Sequence, residues 1–510
     1  MSDESSKDKD PEEPKAGEAS SDSETNGEKE PPAHHDDVVA ETEHTVTIGG
    51  TEIAYTATAS HLVVKEEEGK KQATFFSVAY TKDDVENVTE RPIIFSFNGG
   101  PGSASVWLHL GAFGPYRVEL ADDGMALPPP GRLVENTHSL LDIADLVFID
   151  PISTGYSRSI PEEDAKDFHH FSKDIESVGE FVRLWLTRNA RWGSPKFLAG
   201  ESYGTTRSAG LAGHLLKKRG MYFNGLILVS SILNFQTAGF DSSTWTFRRG
   251  NDLPYVGFLP TYAATAHYHR KLDDRFLAMP LRTFLDEVED FAQSDYAQAL
   301  MAGSRLESSA YDDIVSRVSG YTGLSEQYVR DSDLRIEILR FCKELLRSEQ
   351  RTVGRIDGRY KGIDRFQTGQ AMESDPSIDA TIGRYTATFN HYVRTDLDYE
   401  SDLPYEVLTD RVHPWDYEDF KNSYVDVSKT LRETMSRNPF MKVFVANGYY
   451  DLATPHFATE YTFAHLGLDP ELNDNVTMAY YEAGHMMYVH LESLAKLKTD
   501  IAEFVASALA

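Results

Sequence analysis

Three residues of this chain have the types and the local settings needed to break an acyl bond by covalent catalysis. Ser202 lies in Gly200-Glu201-Ser202-Tyr203-Gly204, after the apolar run Lys196-Phe197-Leu198-Ala199 and before a helix-like segment. In a strand, turn, helix setting of this kind, a G-x-S-x-G serine sits on a strained turn with its hydroxyl held out above a sheet. A serine hydroxyl is a weak nucleophile at neutral pH, so it needs a base, a carboxylate to orient that base, and donors for the oxyanion. Asp451 follows the apolar run Val443-Phe444-Val445-Ala446 and the turn Asn447-Gly448-Tyr449-Tyr450, and strand ends are where open α/β sheets carry active residues. His485 stands in Glu482-Ala483-Gly484-His485-Met486, directly after Val476-Thr477-Met478-Ala479-Tyr480-Tyr481. The chain order is serine, aspartate, histidine.

Oxyanion donors are expected from a glycine-rich loop after an earlier strand, and Pro92-Ile93-Ile94-Phe95-Ser96-Phe97 runs into Asn98-Gly99-Gly100-Pro101-Gly102-Ser103. Glycines let backbone N–H groups reach a substrate, and the N–H groups of Gly100 and Tyr203 are assigned as the donors; losing one typically costs about 3 to 4 kcal/mol of transition-state stabilisation. Plainer readings stand beside these. Asp451 could cap a helix begun by Leu452-Ala453-Thr454-Pro455. His485 could be a core histidine, with His456 or His490 as rival bases. Glu201 could be an exposed turn residue, and Asn98 could tie down its own loop as an Asx turn.

Together with Leu146-Val147-Phe148-Ile149-Asp150-Pro151-Ile152-Ser153-Thr154-Gly155-Tyr156-Ser157, these stretches resemble the serine carboxypeptidases, peptidase family S10, in the order they take within the α/β-hydrolase fold. The resemblance runs from residue 75 to residue 508. It implies release of single residues from peptide C-termini through an acyl-enzyme. It also implies that Asn98 and Glu201, with Gly99 in the same substrate-binding set, hold the terminal carboxylate. A carboxyl group facing a carboxylate must be protonated to attract it, so acidic pH should favour binding. The chain departs from the family pattern at Ser96, where a tryptophan is usual. It departs again in Leu110-Gly111-Ala112-Phe113-Gly114-Pro115, where a second glutamate is common, and at Ser103, which replaces a cysteine.

The elements that must position these residues alternate in type, giving an α/β class with a mostly parallel central sheet flanked by helices. Parallel strands are expected near 93–97, 146–149, 196–199, 225–229, 443–446 and 477–481. Before them, residues 44–48, Gly49-Gly50 and 51–55 read as a hairpin, and the alternating stretch 73–80 continues an antiparallel edge. Helices are predicted over 174–189 and 491–509, the second with Leu494, Leu497, Ile501 and Phe504 on one face. The stretch between Ser231 and Val443 is far too long for a loop. It predicts a large, mainly helical cap over 240–385, dividing a hydrolase core into 41–239 and 386–510. Tyr255, Phe258, Tyr262 and Tyr268 in it could line a pocket or form its core.

Of the 510 residues, 40% are hydrophobic, and the net charge of −31 argues against nucleic-acid binding. Residues 1–37 hold 13 acidic and 4 basic side chains, so a disordered acidic tail is expected over 1–40. His34-His35, His169-His170 and the pair His267 and His269 lack ligand spacing, so no metal or other cofactor is expected. Cys342, the single cysteine, groups with apolar residues and reads as a buried, inert thiol. Many members of the family it resembles are secretory and disulfide-bonded, so with no disulfide possible a reducing compartment or a bacterial-type lineage fits better. With no signal pattern at the start and no membrane-spanning run, the reading is a cytoplasmic protein acting on peptides without a membrane partner, with secretion after loss of a signal as the alternative. The alternatives are an esterase or acyltransferase on the same scaffold, or a non-catalytic binding protein of hydrolase shape.

Overall fold

Most of the central strands are short, largely apolar and buried on both faces, as parallel strands covered by helices must be. The computed structural model describes residues 36–160, 165–238, 240–241, 246–247 and 250–510. The expected tail up to residue 35, His34-His35 included, lies outside them. Strands β1 (Val38–Ile48), β2 (Thr51–Lys65), β3 (Lys71–Lys82), β4 (Ile93–Phe97), β5 (Asp145–Ile149), β6 (Arg158–Ser159), β7 (Lys196–Glu201), β8 (Gly225–Val229), β9 (Lys442–Gly448) and β10 (Val476–Tyr481) form one sheet in the order β1-β2-β3-β5-β4-β7-β8-β9-β10, with β6 paired to β3. From β5 through β10 the pairing along this order is parallel. The first three strands pair antiparallel, and β3 also pairs antiparallel with β5.

Two expectations at this end need correcting. Val38, Val39 and Ala40, assigned to the tail by composition, are the first residues of β1, because β2 is long enough to offer them partners at His61, Ser60 and Ala59. The stretch 73–80 is antiparallel as read, but it is flanked on both sides, and β1 is the free edge. Alternation along the strands sorts side chains between two layers. Ile94, Leu146, Phe148, Ile227 and Val229 pack on one side of the sheet, and Phe95, Val147, Ile149, Leu226 and Leu228 on the other.

Helix α1 (Phe171–Arg188) buries Ile175, Val178, Phe181, Val182 and Trp185, one stripe at helical spacing. Helix α2 (Tyr203–Arg219) follows the nucleophile candidate without a gap. Its small residues let it press close: a Cβ on Gly213 would come within 2.4 Å of Thr430. It ends with Lys217, Lys218 and Arg219 before Gly220 in the left-handed conformation, the charge and the residue that suit a helix C-terminus.

The segment after β8 folds as helices, including α3 (Leu253–Tyr268), α4 (Leu281–Phe291) and α5 (Ser308–Thr322). Their own core contains Phe258, Tyr262, Phe284, Val318, Phe341 and Cys342. Tyr255, Phe258 and Tyr262 are therefore core rather than pocket, and the half-exposed Tyr268 packs against Tyr450. The expected boundary at Tyr385 falls inside helix α6 (Pro376–Thr395), whose Tyr385, Phe389 and Tyr392 belong to the core beside the sheet. Chain periodicity shows a helix but not the layer it joins. Helices α7 (Ser428–Arg437), α8 (His456–Ala464) and α9 (Leu491–Leu509) complete the set used below. Leu494, Leu497, Ile501 and Phe504 of α9 are buried as read. No helix of the described residues is long and apolar enough to cross a membrane.

Candidate active site

Ser202 occupies the single residue between β7 and α2, with φ 60° and ψ −129°. A side chain there is strained, and the strain is supported locally. The Ser202 N–H donates to the Val229 carbonyl at 3.0 Å, and its carbonyl accepts from the N–H and the hydroxyl of Thr205 at 2.8 and 2.7 Å.

Asp451 follows the C-terminal end of β9 and is completely buried. Its Oδ1 accepts from the N–H groups of Ala453 and Thr454 at 2.8 and 2.9 Å, and its Oδ2 from the Thr454 hydroxyl at 2.7 Å. The cap reading was half right: the carboxylate does hold the next turn, but Oδ2 is also 2.8 Å from His485 Nδ1. That contact fixes the tautomer with the proton on Nδ1 and leaves Nε2 as acceptor. The backbone of His485 is pinned on both sides, its N–H on the Ile356 carbonyl at 2.8 Å and its carbonyl on the Ser230 hydroxyl at 2.7 Å. Burial works against a charged ring, but the Asp451 carboxylate, its hydrogen bond and the nearby Glu201 carboxylate outweigh that and raise the His485 pKa.

The glycine loop lies directly on this turn. A Cβ on Gly99 would stand 2.5 Å from the Tyr203 nitrogen and 2.7 Å from the Glu201 carbonyl oxygen, so no side chain fits there. Gly100 adopts φ +101°, a conformation that L side chains rarely take. Tyr203 opens α2, so its N–H has no carbonyl one turn back within the helix. A buried ion pair holds the loop from behind. Arg207 Nε sits 2.9 Å from Asp174 Oδ2, and Arg207 Nη1 donates to the Asn98 carbonyl at 2.7 Å.

Asn98, Gly99, Gly100, Glu201, Ser202 and His485 line one cavity of about 360 Å³. Glu201 is not an exposed turn residue: it is buried, it accepts from the Tyr488 hydroxyl at 2.6 Å, and it is hydrogen-bonded to Asn98. Burial pushes its pKa up to about 7, against the opposing pull of His485, Tyr488 and Asn98. Asn98 spends its Oδ1 on the Leu108 N–H at 3.1 Å, tying down a helical turn rather than its own loop. Within the stretch Leu110-Gly111-Ala112-Phe113-Gly114-Pro115, a Cβ on Gly111 would meet the Tyr488 ring at 2.5 Å and the Tyr385 hydroxyl at 2.6 Å. Tyrosines occupy that space. Ser96, at the usual tryptophan position, is fully buried, and its hydroxyl has no hydrogen-bond partner among the described residues.

The structure thus brings the sequence-derived set together and leaves the rival bases elsewhere. His456 is buried with Nε2 3.0 Å from Glu289 Oε1, in a group with Glu460 whose ligand-type atoms lie within 4.8 Å of one another, and Arg282 already pairs with Glu289. His490 bonds Ser493. Of the other histidines, His169 bonds the Ser153 hydroxyl and His269 the Gly358 carbonyl. Sequence reading missed Tyr488, Thr454 and the Arg207–Asp174 pair. It also missed Asp357, which pairs with Arg359 and accepts from the Gly484 N–H at 3.0 Å. Only Tyr488 and Thr454, three residues from His485 and Asp451, carried a signal by proximity.

A strained serine, an imidazole with a free acceptor nitrogen, a saturated carboxylate and a glycine loop are the parts that acyl transfer through a serine ester requires. The serine carboxypeptidase family model matches residues 51–498. The pheromone-processing carboxypeptidase KEX1 of Saccharomyces cerevisiae is 32% identical over 126 residues, 24% of this chain and 16% of that protein. Serine carboxypeptidase-like 5 of Arabidopsis thaliana is 31% identical over 119 residues, 23% of this chain and 26% of that protein. The matched segments span about a quarter or less of these relatives. The crystal structure of the KEX1 prohormone-processing carboxypeptidase from Saccharomyces cerevisiae aligns with TM-score 0.56 at 16% identity, covering 89% of this chain and 91% of that one, and so shares the α/β-hydrolase fold. With its family model matched from β2 into the last helix, the chain belongs to the serine carboxypeptidase family.

Proposed function

We propose that this protein is a serine-type carboxypeptidase that releases residues one at a time from peptide C-termini. Ser202 Oγ attacks the last peptide carbonyl while His485 Nε2 takes its proton, with Asp451 holding the ring. The oxyanion is held by the N–H groups of Gly100 and Tyr203. Collapse breaks the C–N bond as His485 returns the proton to the departing amine. Water then attacks the ester with the same base, and the shortened peptide leaves with a new carboxylate. Asn98 and neutral Glu201 hold the terminal carboxylate of the departing residue, which gives the enzyme its preference for chain ends.

One observation carries the reading: a triad-type Asp451–His485 pair opens into the same cavity as Ser202 and the buried Glu201–Asn98 pair. The test is mass spectrometry of products from N-blocked peptides with free or amidated C-termini, with Ser202→Ala as control. Stepwise release that amidation abolishes and Ser202→Ala lacks is the expected result. Ester cleavage without peptide cleavage would move the assignment to an esterase or acyltransferase.

The helices between residues 253 and 346 are proposed to act as the cap over this site. From the single cysteine, Cys342, buried in the cap core with its thiol pKa raised, we further propose a reducing, cytoplasmic setting in a bacterial-type lineage that needs no disulfides. Fractionation of the native host checks this.

A further inference from the structure

The stretch from Leu146 to Ser157 carries part of the family resemblance, yet none of its residues lines the cavity that holds Ser202 and His485. Its Asp150 follows β5 directly, beside the strand that leads into the glycine loop. The carboxyl group is buried, and its Oδ1 accepts from three donors: the Ser105 N–H and hydroxyl, both at 2.8 Å, and the Tyr405 hydroxyl at 3.3 Å. Its Oδ2 is buried with no hydrogen-bond partner among the described residues, and a Cβ on Gly155 would overlap it, so only glycine leaves room for that oxygen. Asp145, Asp174, Asp357 and Asp364 are buried too, but each rests against an arginine or lysine. No such ion pair reaches Asp150 among the described residues.

Three segments meet at this carboxyl. Ser105 ends the glycine-rich stretch and starts the buried helical turn Val106–Leu108, whose Leu108 N–H donates to Asn98 Oδ1. Within the stretch, the Ser103 N–H donates to the Gly99 carbonyl at 3.1 Å, so the loop presenting Gly100 is closed by its own backbone on one side and held through Ser105 on the other. Tyr405 opens a segment laid across the same loop. There the Val407 carbonyl accepts from Ala104 N–H and Thr409 N–H donates to the Gly102 carbonyl, both at 3.0 Å, and Leu408 between them lines the cavity. Glu406 exchanges two backbone hydrogen bonds with Gly155, at 2.9 and 3.1 Å. The exit of the glycine loop and the cavity wall at Leu408 therefore converge on Asp150.

Burial pushes the Asp150 pKa up to about 6, against the pull of Ser105, Tyr405 and the Tyr156 N–H. The titratable and charged groups around it are Tyr405 and Tyr156, then Arg158, Glu406 and Arg411 farther out, with His61 on the far side at the Tyr156 carbonyl. Arg158 is spent on the Gly155, Ser157 and Pro404 carbonyls, and Arg411 pairs with Glu406. An ionised carboxylate makes its hydrogen bonds to Ser105 charge-assisted, roughly twice as strong as those of the neutral acid. We propose that ionised Asp150 is a positioning residue for acyl transfer, holding Ser105 so that the Gly100 N–H stays aimed at the oxyanion, and that a proton gained on Oδ2 slackens the loop and slows turnover. The assignment rests on the serine-hydrolase reading and gives the enzyme an acid brake separate from His485 and Glu201.

The experiment follows kcat on an N-blocked neutral amino-acid ester from about pH 5 to about pH 7.5 in wild type, Asp150→Asn and Ser105→Ala. Asparagine has the shape of the protonated acid and cannot titrate. His485 and Glu201 are present in every protein, so the ratio of wild-type to Asp150→Asn kcat isolates Asp150. That ratio should be about tenfold at pH 7.5 and shrink to about twofold at pH 5, with KM nearly constant. Ser105→Ala removes a hydroxyl that favours the ionised carboxyl, so its kcat should begin to fall at higher pH than that of wild type. This variant keeps Asp150 and decides the matter if Asp150→Asn does not fold. A ratio near one at pH 7.5, a ratio that does not change with pH, or a Ser105→Ala profile that superimposes on wild type overturns the proposal. If wild type turns over neither ester nor peptide, the hydrolase reading fails and takes this proposal with it. Ester turnover without peptide cleavage sinks the carboxypeptidase reading alone, and the ratio still decides Asp150.

Discussion

Replacing Glu201 by Gln keeps the shape and removes the titration, which makes it the sharpest probe of the carboxylate site. Glu201 has a pKa of about 7 in the folded chain because it is buried. Between pH 6 and pH 8 such a group passes from about 90% to about 10% protonated. In wild type, kcat/KM for a free-acid peptide should therefore fall by up to about tenfold across that interval, because the ionised form repels the substrate carboxylate. A second limb rises with pH as His485 becomes neutral. The Glu201 charge helps to keep His485 protonated, so the two titrate as a coupled pair and the profile reports pair values. Glu201→Gln should abolish the descending limb and shift the rising one to lower pH. A neutral ester, which brings no carboxylate, should show only a rising limb in both proteins. The same substitution has a stability signature. Because the folded value of Glu201 is raised, the folded chain keeps a proton that the unfolded chain has lost between pH 4.5 and about 7. Stability falls as pH rises through that window and stays lower above it. At about 1.4 kcal/mol per unit over roughly 2.5 units, Glu201→Gln should gain about 3 kcal/mol on wild type between pH 4.5 and pH 8 in denaturant unfolding. A descending limb that survives in Glu201→Gln on free-acid peptides would refute the reasoning.

Thr454→Val removes the hydroxyl bonded to Asp451 Oδ2, and kcat should drop about tenfold with KM nearly constant; an effect on KM alone would place Thr454 outside the triad's support. Arg207→Met strands Asp174 in the interior and frees the Asn98 carbonyl. Denaturant unfolding should show a loss of about 3 to 5 kcal/mol, much of it recovered by adding Asp174→Asn, and equal losses in the single and double variants would contradict the pairing. Gly99→Ala drives a Cβ toward the Tyr203 nitrogen. Its turnover should fall at least about 100-fold, as for loss of an oxyanion donor, and near-normal rates in steady-state assays would mean that the loop does not bear on the elbow.

The parts of this site legible in the chain are those that chemistry confines to a few consecutive residues. Ser202, Asp451 and His485 each follow a strand within a handful of positions, and the glycine loop follows β4 directly, so type and neighbourhood pointed to them. Arg207 and Asp174 gave no such sign, because their meaning is a contact with Asn98 across most of the hydrolase core. Asp357 reaches the triad from the far end of the helical insertion, a closeness that exists only after folding. Composition misjudged Val38–Ala40, since pairing with β2 depends on what faces a residue and not on its own side chain. The aromatic residues now in α3 were readable as pocket or as core, and Phe258 and Tyr262 are core. The boundary at Tyr385 failed for a similar reason: α6 turns its aromatic residues toward the main core, a direction no local pattern encodes.

Tyr449, Tyr450 and Leu452 belong to the hydrophobic core of the helical insertion, although they bracket Asp451 on the loop after β9. The insertion is thus not a detachable lid: its interior is the bedding on which the aspartate rests. Trimming it away would strip the triad of its anchor, and loss of activity on heating would serve as a gauge of when that interior melts. A graft of another relative's helices onto this sheet would have to carry residues 449–452 with it, because the seam between the two parts runs through the catalytic loop itself.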